Sequence, residues 1–163
     1  MIKILITGWA LLCLSFPAAG AILLTSAQRI VLQEAITIGH KAGIGDQLAA
    51  VTYQESSLGL QPNSPGHFGV GSVGYLAWQT VITHHPWLKA YFRGRNWATV
   101  LVQDPGISLW VSAYYIAYCR HQAANWWQAM SMYRYGSPES PGPYPERINH
   151  RIAQIRAILT TTA

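Results

Sequence analysis

Charge is what this sequence has least of. Only 10% of its 163 residues are Asp, Glu, Lys or Arg, and six are acidic: Glu34, Asp46, Glu55, Asp104, Glu139 and Glu146. Half the residues are hydrophobic, which excludes a disordered chain. Cysteine is nearly absent, with Cys13 and Cys119 alone. Cys13 falls in an expected leader, so the mature chain keeps one thiol and no intrachain disulfide. The fold must then be held by its core. Cys119 ends the apolar stretch Tyr114-Tyr-Ile-Ala-Tyr-Cys119 and reads as a buried structural thiol. There is no run of Lys or Arg and no nucleic-acid-binding signature, although a net charge of +5 favours an anionic partner. No HExxH and no Cys/His zinc spacing appears, so no metal or other cofactor is expected, and His67, His84 and His85 read as loop or surface residues.

What is present begins with an expected export signal, for which an uncleaved anchor or a buried N-terminal helix is the alternative. Met1-Ile2-Lys3 is a positive start, and Ile4 to Leu14 is an apolar run too short to span a bilayer comfortably. Ser15-Phe16-Pro17 breaks it, and Ala18-Ala19-Gly20-Ala21 supplies small residues for cleavage after Gly20 or Ala21. Leu12 stands before Cys13 where a lipoprotein needs a small residue. The expected organisation is a leader over 1–20 and one domain over 21–163, located in the periplasm or cell envelope. No internal repeat or linker divides it.

The mature chain reads as mainly α-helical. Ser26 is a candidate cap for a helix from Ala27 to Gly39, and a second helix spans Asp46 to Leu58, stopped at Gly59. Residues 60–74 read as loop, Tyr75 to Thr83 as a helix closed by His84-His85-Pro86, and Trp97 to Val102 as a short helix. Asp104-Pro105 opens a helix to about Arg120 that is apolar nearly all round, as in a domain centre. Asn125 caps Trp126 to Tyr135, which Gly136 ends, and a final helix covers Glu146 to Leu159 after a Pro-rich loop. Trp126 and Trp127 point about 100° apart, one suited to the core and the other to a groove.

The second helix carries an anomaly. At about 100° per residue, Leu48, Val51 and Thr52 form one stripe and Glu55 falls in its middle, with Leu58 at its edge. A carboxylate on a core-facing stripe is costly unless paired or neutral. Two readings follow: a buried ion pair with an arginine, or a general acid whose pKa burial drives up. Position alone does not choose between them.

The surrounding residues add a resemblance. Ala49-Ala-Val-Thr-Tyr-Gln-Glu-Ser-Ser-Leu-Gly59 resembles the first motif of the SLT-type lytic transglycosylases of the lysozyme-like superfamily, where a helix presents the catalytic glutamate before a serine. Gly69-Val70-Gly71-Ser72-Val73 stands where that family has a Gly-Leu-Met-Gln turn, with Ser72 replacing glutamine. Ala129-Met-Ser-Met-Tyr-Arg-Tyr-Gly136 matches the alanine, tyrosine and glycine of the third motif, with Arg134 replacing asparagine. Asp104-Pro105 with Tyr114 and Tyr115, and the later Tyr144, resemble its central segment and closing tyrosine. The likeness covers about residues 40–155.

The resemblance implies a single lysozyme-like helical domain with a substrate groove. It implies cleavage of the MurNAc-β-1,4-GlcNAc bond of peptidoglycan to a 1,6-anhydroMurNAc end, with Glu55 as acid then base, a scheme needing one carboxylate rather than two. Asp46, Asp104 and Glu146 read as helix-start residues and Glu139 as loop, while Glu34, on the first expected helix, is the remaining acid that could stand near the site. Around Glu55, the resemblance suggests that Tyr133 holds the carboxyl, although a core tyrosine is the alternative. Ser56 would touch substrate or fix the backbone. Gly69, Val70, Gly71 and Ser72 would approach the sugar, or the glycines merely form a tight turn. Tyr114 would meet a sugar, or simply pack in the core. The expected partner is the glycan strand, met by a monomer serving a secretion, conjugation, pilus or phage assembly or wall turnover, with no nucleic acid involved. Two rivals are a hydrolytic lysozyme and a non-catalytic wall-binding protein on the same fold, the latter motivated by Ser72 and Arg134.

Two further readings rank below these. Ser64-Pro-Gly-His67 is similar to the histidine motif of zinc DD-peptidases but lacks its aspartate. Cys119 and His121 sit together at a helix end without peptidase context.

Overall fold

The computed structural model describes residues 23–61, 63–140 and 142–161; the expected leader, its cleavage point and Cys13 lie outside them. The protein is mainly α-helical: α1 (Ser26–Lys41), α2 (Gln47–Ser56), α3 (Tyr75–His84), α4 (Pro86–Phe92), α5 (Trp97–Gln103), α6 (Pro105–Gln122), α7 (Trp126–Tyr135) and α8 (Tyr144–Thr161). The described residues include one small antiparallel hairpin, β1 (His67–Phe68) and β2 (Val73–Gly74). No described helix is long and apolar enough to cross a membrane.

Two apolar clusters meet on α6. One gathers Leu32 and Ile38 of α1, Leu48 and Val51 of α2, Met130 of α7 and Ile148 of α8 around Leu109, Ala113 and Ile116. The other gathers Val73, Val81, Leu88, Phe92 and Leu101 around Ile107 and Val111. Because α6 buries opposite sides in two lobes, it must be apolar all round. Cys119 is fully buried there, and burial pushes its thiol up to about 12.

Local chemistry sets most helix ends. Asp104 and Asn125 accept from the backbone N–H three residues on, starting α6 and α7. Thr25, not Ser26, caps α1, because Thr25 and Gln28 form a reciprocal capping box. The same Gln28 donates to the Ser57 carbonyl at 2.9 Å, tying the start of α1 to the end of α2. α1 runs past Gly39 to Lys41, and α8 starts two residues ahead of Glu146.

Three further expectations are corrected. α2 stops at Ser56 rather than Leu58, because Ser57 and Leu58 both turn to positive φ. His84-His85-Pro86 closes α3 but also opens α4, with Pro86 in the first turn, where its missing N–H costs nothing. Residues 60–74 are not all loop, since the β1–β2 hairpin lies within them.

Candidate active site

A cleft of about 340 Å³ opens between the lobes. Its walls come from the end of α2, the hairpin, the start of α3, the middle of α6 and the end of α7, including Glu55, Ser72, Ser112, Tyr115, Tyr133 and Arg134. Residues from all three motif segments therefore share one cavity.

Glu55 is the only acidic side chain lining the cleft among the described residues. It lies on the buried stripe of α2 expected from the helical period, with Leu48, Val51 and Thr52 fully buried, and its own side chain is 7% exposed. The carboxylate is paired: Arg134 Nη1 donates to Glu55 Oε2 at 3.1 Å from the last turn of α7. The buried-ion-pair reading of the apolar stripe thus has its partner, with Arg134 answering a carboxylate that lines the cleft. The other acids sit elsewhere. Asp46 pairs with Arg156 at 3.1 Å, and Asp104 caps α6 and accepts from the Tyr91 hydroxyl at 2.7 Å. Glu34 lies against Gly106 in the first turn of α6, where a carboxylate suits the positive end of the helix.

Two tyrosines flank Glu55. Part of Tyr133 lines the cleft while its hydroxyl points inward and donates to the Gly71 carbonyl at 3.1 Å. Burial first, and the Glu55 charge second, raise its pKa well above the ordinary value. Tyr144 is buried at the start of α8, and its hydroxyl lacks a partner in good hydrogen-bonding geometry among the described residues. That hydroxyl is nonetheless close enough to interact with Glu55. Burial first, then Tyr133 and Glu55, push its pKa well up.

The turn at 69–72 locks the motifs together. Ser56 Oγ is 2.6 Å from the Val70 carbonyl and 3.0 Å from the Thr52 carbonyl, and accepts from Gly59 N–H at 3.0 Å. Ser56 is 1% exposed, so it fixes backbone rather than meeting substrate. Gly71 N–H donates to Ser108 Oγ at 3.2 Å. A Cβ on Gly69 would collide with Leu101 and Ser108, and one on Gly71 with Ser112. Gly69, Val70 and Gly71 are buried behind the cleft wall, not in it. Their use is close packing on α6 through Ser108 and Ser112, and only Ser72 of the turn, at φ 52°, reaches the cleft.

Tyr114 is not in the cleft either. It stacks on His85 at 3.7 Å on another face of α6, while Tyr115 lines the cleft. The sequence shows a signal for this face: Ser108, Ser112 and Tyr115 repeat at helical spacing on an otherwise apolar helix. Tyr75, Leu76 and Tyr135, all strongly exposed, also line the cleft, and so does His67 on β1. Trp126 packs inward and Trp127 stays exposed away from the cleft. Among the described residues no three His, Cys, Asp or Glu side chains gather as a metal site would require.

No family model matches this chain, and neither a curated protein nor a solved structure matches it.

Proposed function

We propose that this chain is an exported peptidoglycan lytic transglycosylase with a lysozyme-like fold, in which Glu55 serves first as general acid and then as general base. The observation that carries the reading is the solitude of Glu55: one nearly buried carboxylate in a cleft whose described lining holds no second acid. Glycosidases that work with two carboxylates need the second about 5–9.5 Å away. A one-carboxylate scheme needs only this residue.

In that scheme Glu55 protonates the oxygen bridging MurNAc to GlcNAc. The substrate's 2-acetamido group stabilises the positive charge developing at C1. The Glu55 carboxylate then takes the proton of the C6 hydroxyl, whose oxygen closes onto C1 and leaves a 1,6-anhydro end. The Tyr144 hydroxyl stands near the carboxyl while that of Tyr133 holds the Gly71 carbonyl behind it, and neither competes as an acid, since both are kept protonated. The rings of Tyr75 and Tyr135 on the cleft walls suit stacking against sugar faces. The Arg134 pairing suits the carboxylate half of the cycle, and the acid half needs the guanidinium to give way to a proton. A net charge of +5 favours approach to an anionic wall. An export leader over residues 1–20 would bring the enzyme there, in service of wall turnover or of an envelope-crossing assembly.

Digestion of purified peptidoglycan followed by mass spectrometry of the muropeptides tests this. Anhydro-ended fragments that vanish with Glu55→Gln are the expected result. Ordinary reducing ends would instead mean a hydrolytic lysozyme. The Glu55–Arg134 ion pair supports one second reading, a non-catalytic wall-binding protein, for which digestion would give no fragments while wall binding persisted.

A further inference from the structure

Arg134 and Glu55 form the ion pair of the cleft. The two partners are unequally placed: the Glu55 side chain is 7% exposed and the Arg134 side chain 44%. The carboxylate is therefore held by α2, and the guanidinium is the reachable member. Their contact runs through Nη1 alone, at 3.1 Å, whereas a guanidinium carries five N–H donors arranged to match a carboxylate in pairs. The guanidinium lies 6.0 Å from the centre of the Tyr144 ring, at the edge of the site. No other Lys or Arg lines the cleft among the described residues.

We propose that Arg134 is an anion-recognition residue that transfers from Glu55 in the free protein to a carboxylate on the incoming glycan strand. The proposal rests on the glycan-cleaving reading above. It narrows the substrate to an acidic strand, bearing a carboxylate on or beside the sugar at the cleavage point. In peptidoglycan that group is either the lactyl carboxylate of a peptide-free strand or a carboxylate of the stem peptide. Engaging it removes the guanidinium from Glu55 and leaves Oε2 to carry the proton of the acid step. A neutral strand leaves the ion pair in place, so recognition and activation become one event.

Binding in the Glu55→Gln background tests this, because the neutral side chain no longer competes for Arg134 and removing the arginine no longer strands a buried charge. The probes are peptide-free and peptide-bearing glycan strands, each as such and with its carboxylates converted to methylamides. Glu55→Gln should bind at least one acidic strand about tenfold or more tighter than its amidated form, and tighter than wild type binds it. Glu55→Gln/Arg134→Gln should lose that preference, and Glu55→Gln/Arg134→Lys should recover part of it. Which strand shows the preference identifies the carboxylate. Equal binding of acidic and amidated strands, a preference that survives in the double variant, or no binding of any strand would overturn the proposal. Selective binding without any bond cleavage by wild type would refute the catalytic reading and leave Arg134 as an anion receptor. Cleavage without selectivity would do the reverse.

Discussion

Replacing Gly71 by alanine tests how the three motif segments are held together. An added Cβ would fall on the Ser112 hydroxyl, 2.8 Å from Ser112 Cβ and 3.4 Å from the Ser108 carbonyl oxygen. Carbon atoms in contact prefer roughly 3.5–4.0 Å, so the turn must retreat from α6 by about 1 Å. Three hydrogen bonds are set by its present position: Gly71 N–H to Ser108 Oγ, Tyr133 hydroxyl to Gly71 O, and Ser56 Oγ to Val70 O. Overpacking costs about 1–3 kcal/mol, and each weakened bond adds up to about 1 kcal/mol. The reduced freedom of the unfolded chain returns about 0.4–1 kcal/mol. Gly71→Ala should therefore lose about 2–4 kcal/mol, read as a lower urea midpoint by tryptophan fluorescence. Gly94→Ala, where a Cβ meets nothing within 4 Å and φ is 72°, should lose only about 1–2 kcal/mol from local strain. Adding Ser112→Gly to Gly71→Ala removes the obstructing atoms, so the pair should couple by about 1 kcal/mol or more. A Gly71→Ala protein within about 0.5 kcal/mol of wild type, or strictly additive single changes, would refute the close docking of the turn on α6.

Other outcomes follow from the same contacts. Glu55→Gln should fold normally yet lose anhydro-muropeptide formation by about 10²–10⁴-fold, the usual worth of a general acid–base, measured by chromatography of peptidoglycan digests. Ser56→Ala should cost about 1–3 kcal/mol in thermal unfolding, because the Val70 carbonyl loses its hydroxyl donor in a buried setting. Tyr133→Phe keeps the ring but drops the bond to Gly71 O, and should cost about 1 kcal/mol of stability with a larger fall in kcat than rise in KM. Stability should decline with alkali. Cys119 and Tyr115 are each raised to about 12, and Tyr133 and Tyr144 are raised as well. The unfolded chain therefore releases protons from about pH 9 upward that the folded chain retains. Their stabilising effect is complete below that pH and lost progressively toward pH 12. Urea midpoints at pH 8 and pH 11 check this; an unchanged midpoint would contradict it.

Elements governed by neighbours in sequence were legible in the sequence. α7 runs from Trp126 to Tyr135 as read, because Asn125 caps it three residues away and Gly136 ends it in a left-handed turn. α6 was legible from Asp104-Pro105 and its all-round apolarity, and α2 from the stripe that set Glu55 inward. The elements that depart from the local sequence pattern depend on distant contacts. The end of α2 follows from Ser56 reaching Val70, fourteen residues away, and from Gln28 reaching Ser57. α4 is seven residues long, too short to persist on propensity, and is held by Leu88 and Phe92 in the second cluster. The two-residue strands are likewise fixed by packing, through Val73 and Phe68.

The site divides along the same line. Helical periodicity by itself determined that Glu55 faces inward and that such a carboxylate calls for a partner or a proton. It did not determine which of the eleven Lys and Arg residues would answer, because Arg134 stands 79 residues away. Nor did it separate Tyr115 from Tyr114, since that choice depends on how α6 is rotated between two lobes. Only the tertiary structure set these, because the angle at which α7 crosses the cleft mouth and the phase of α6 are products of packing, which no local pattern records.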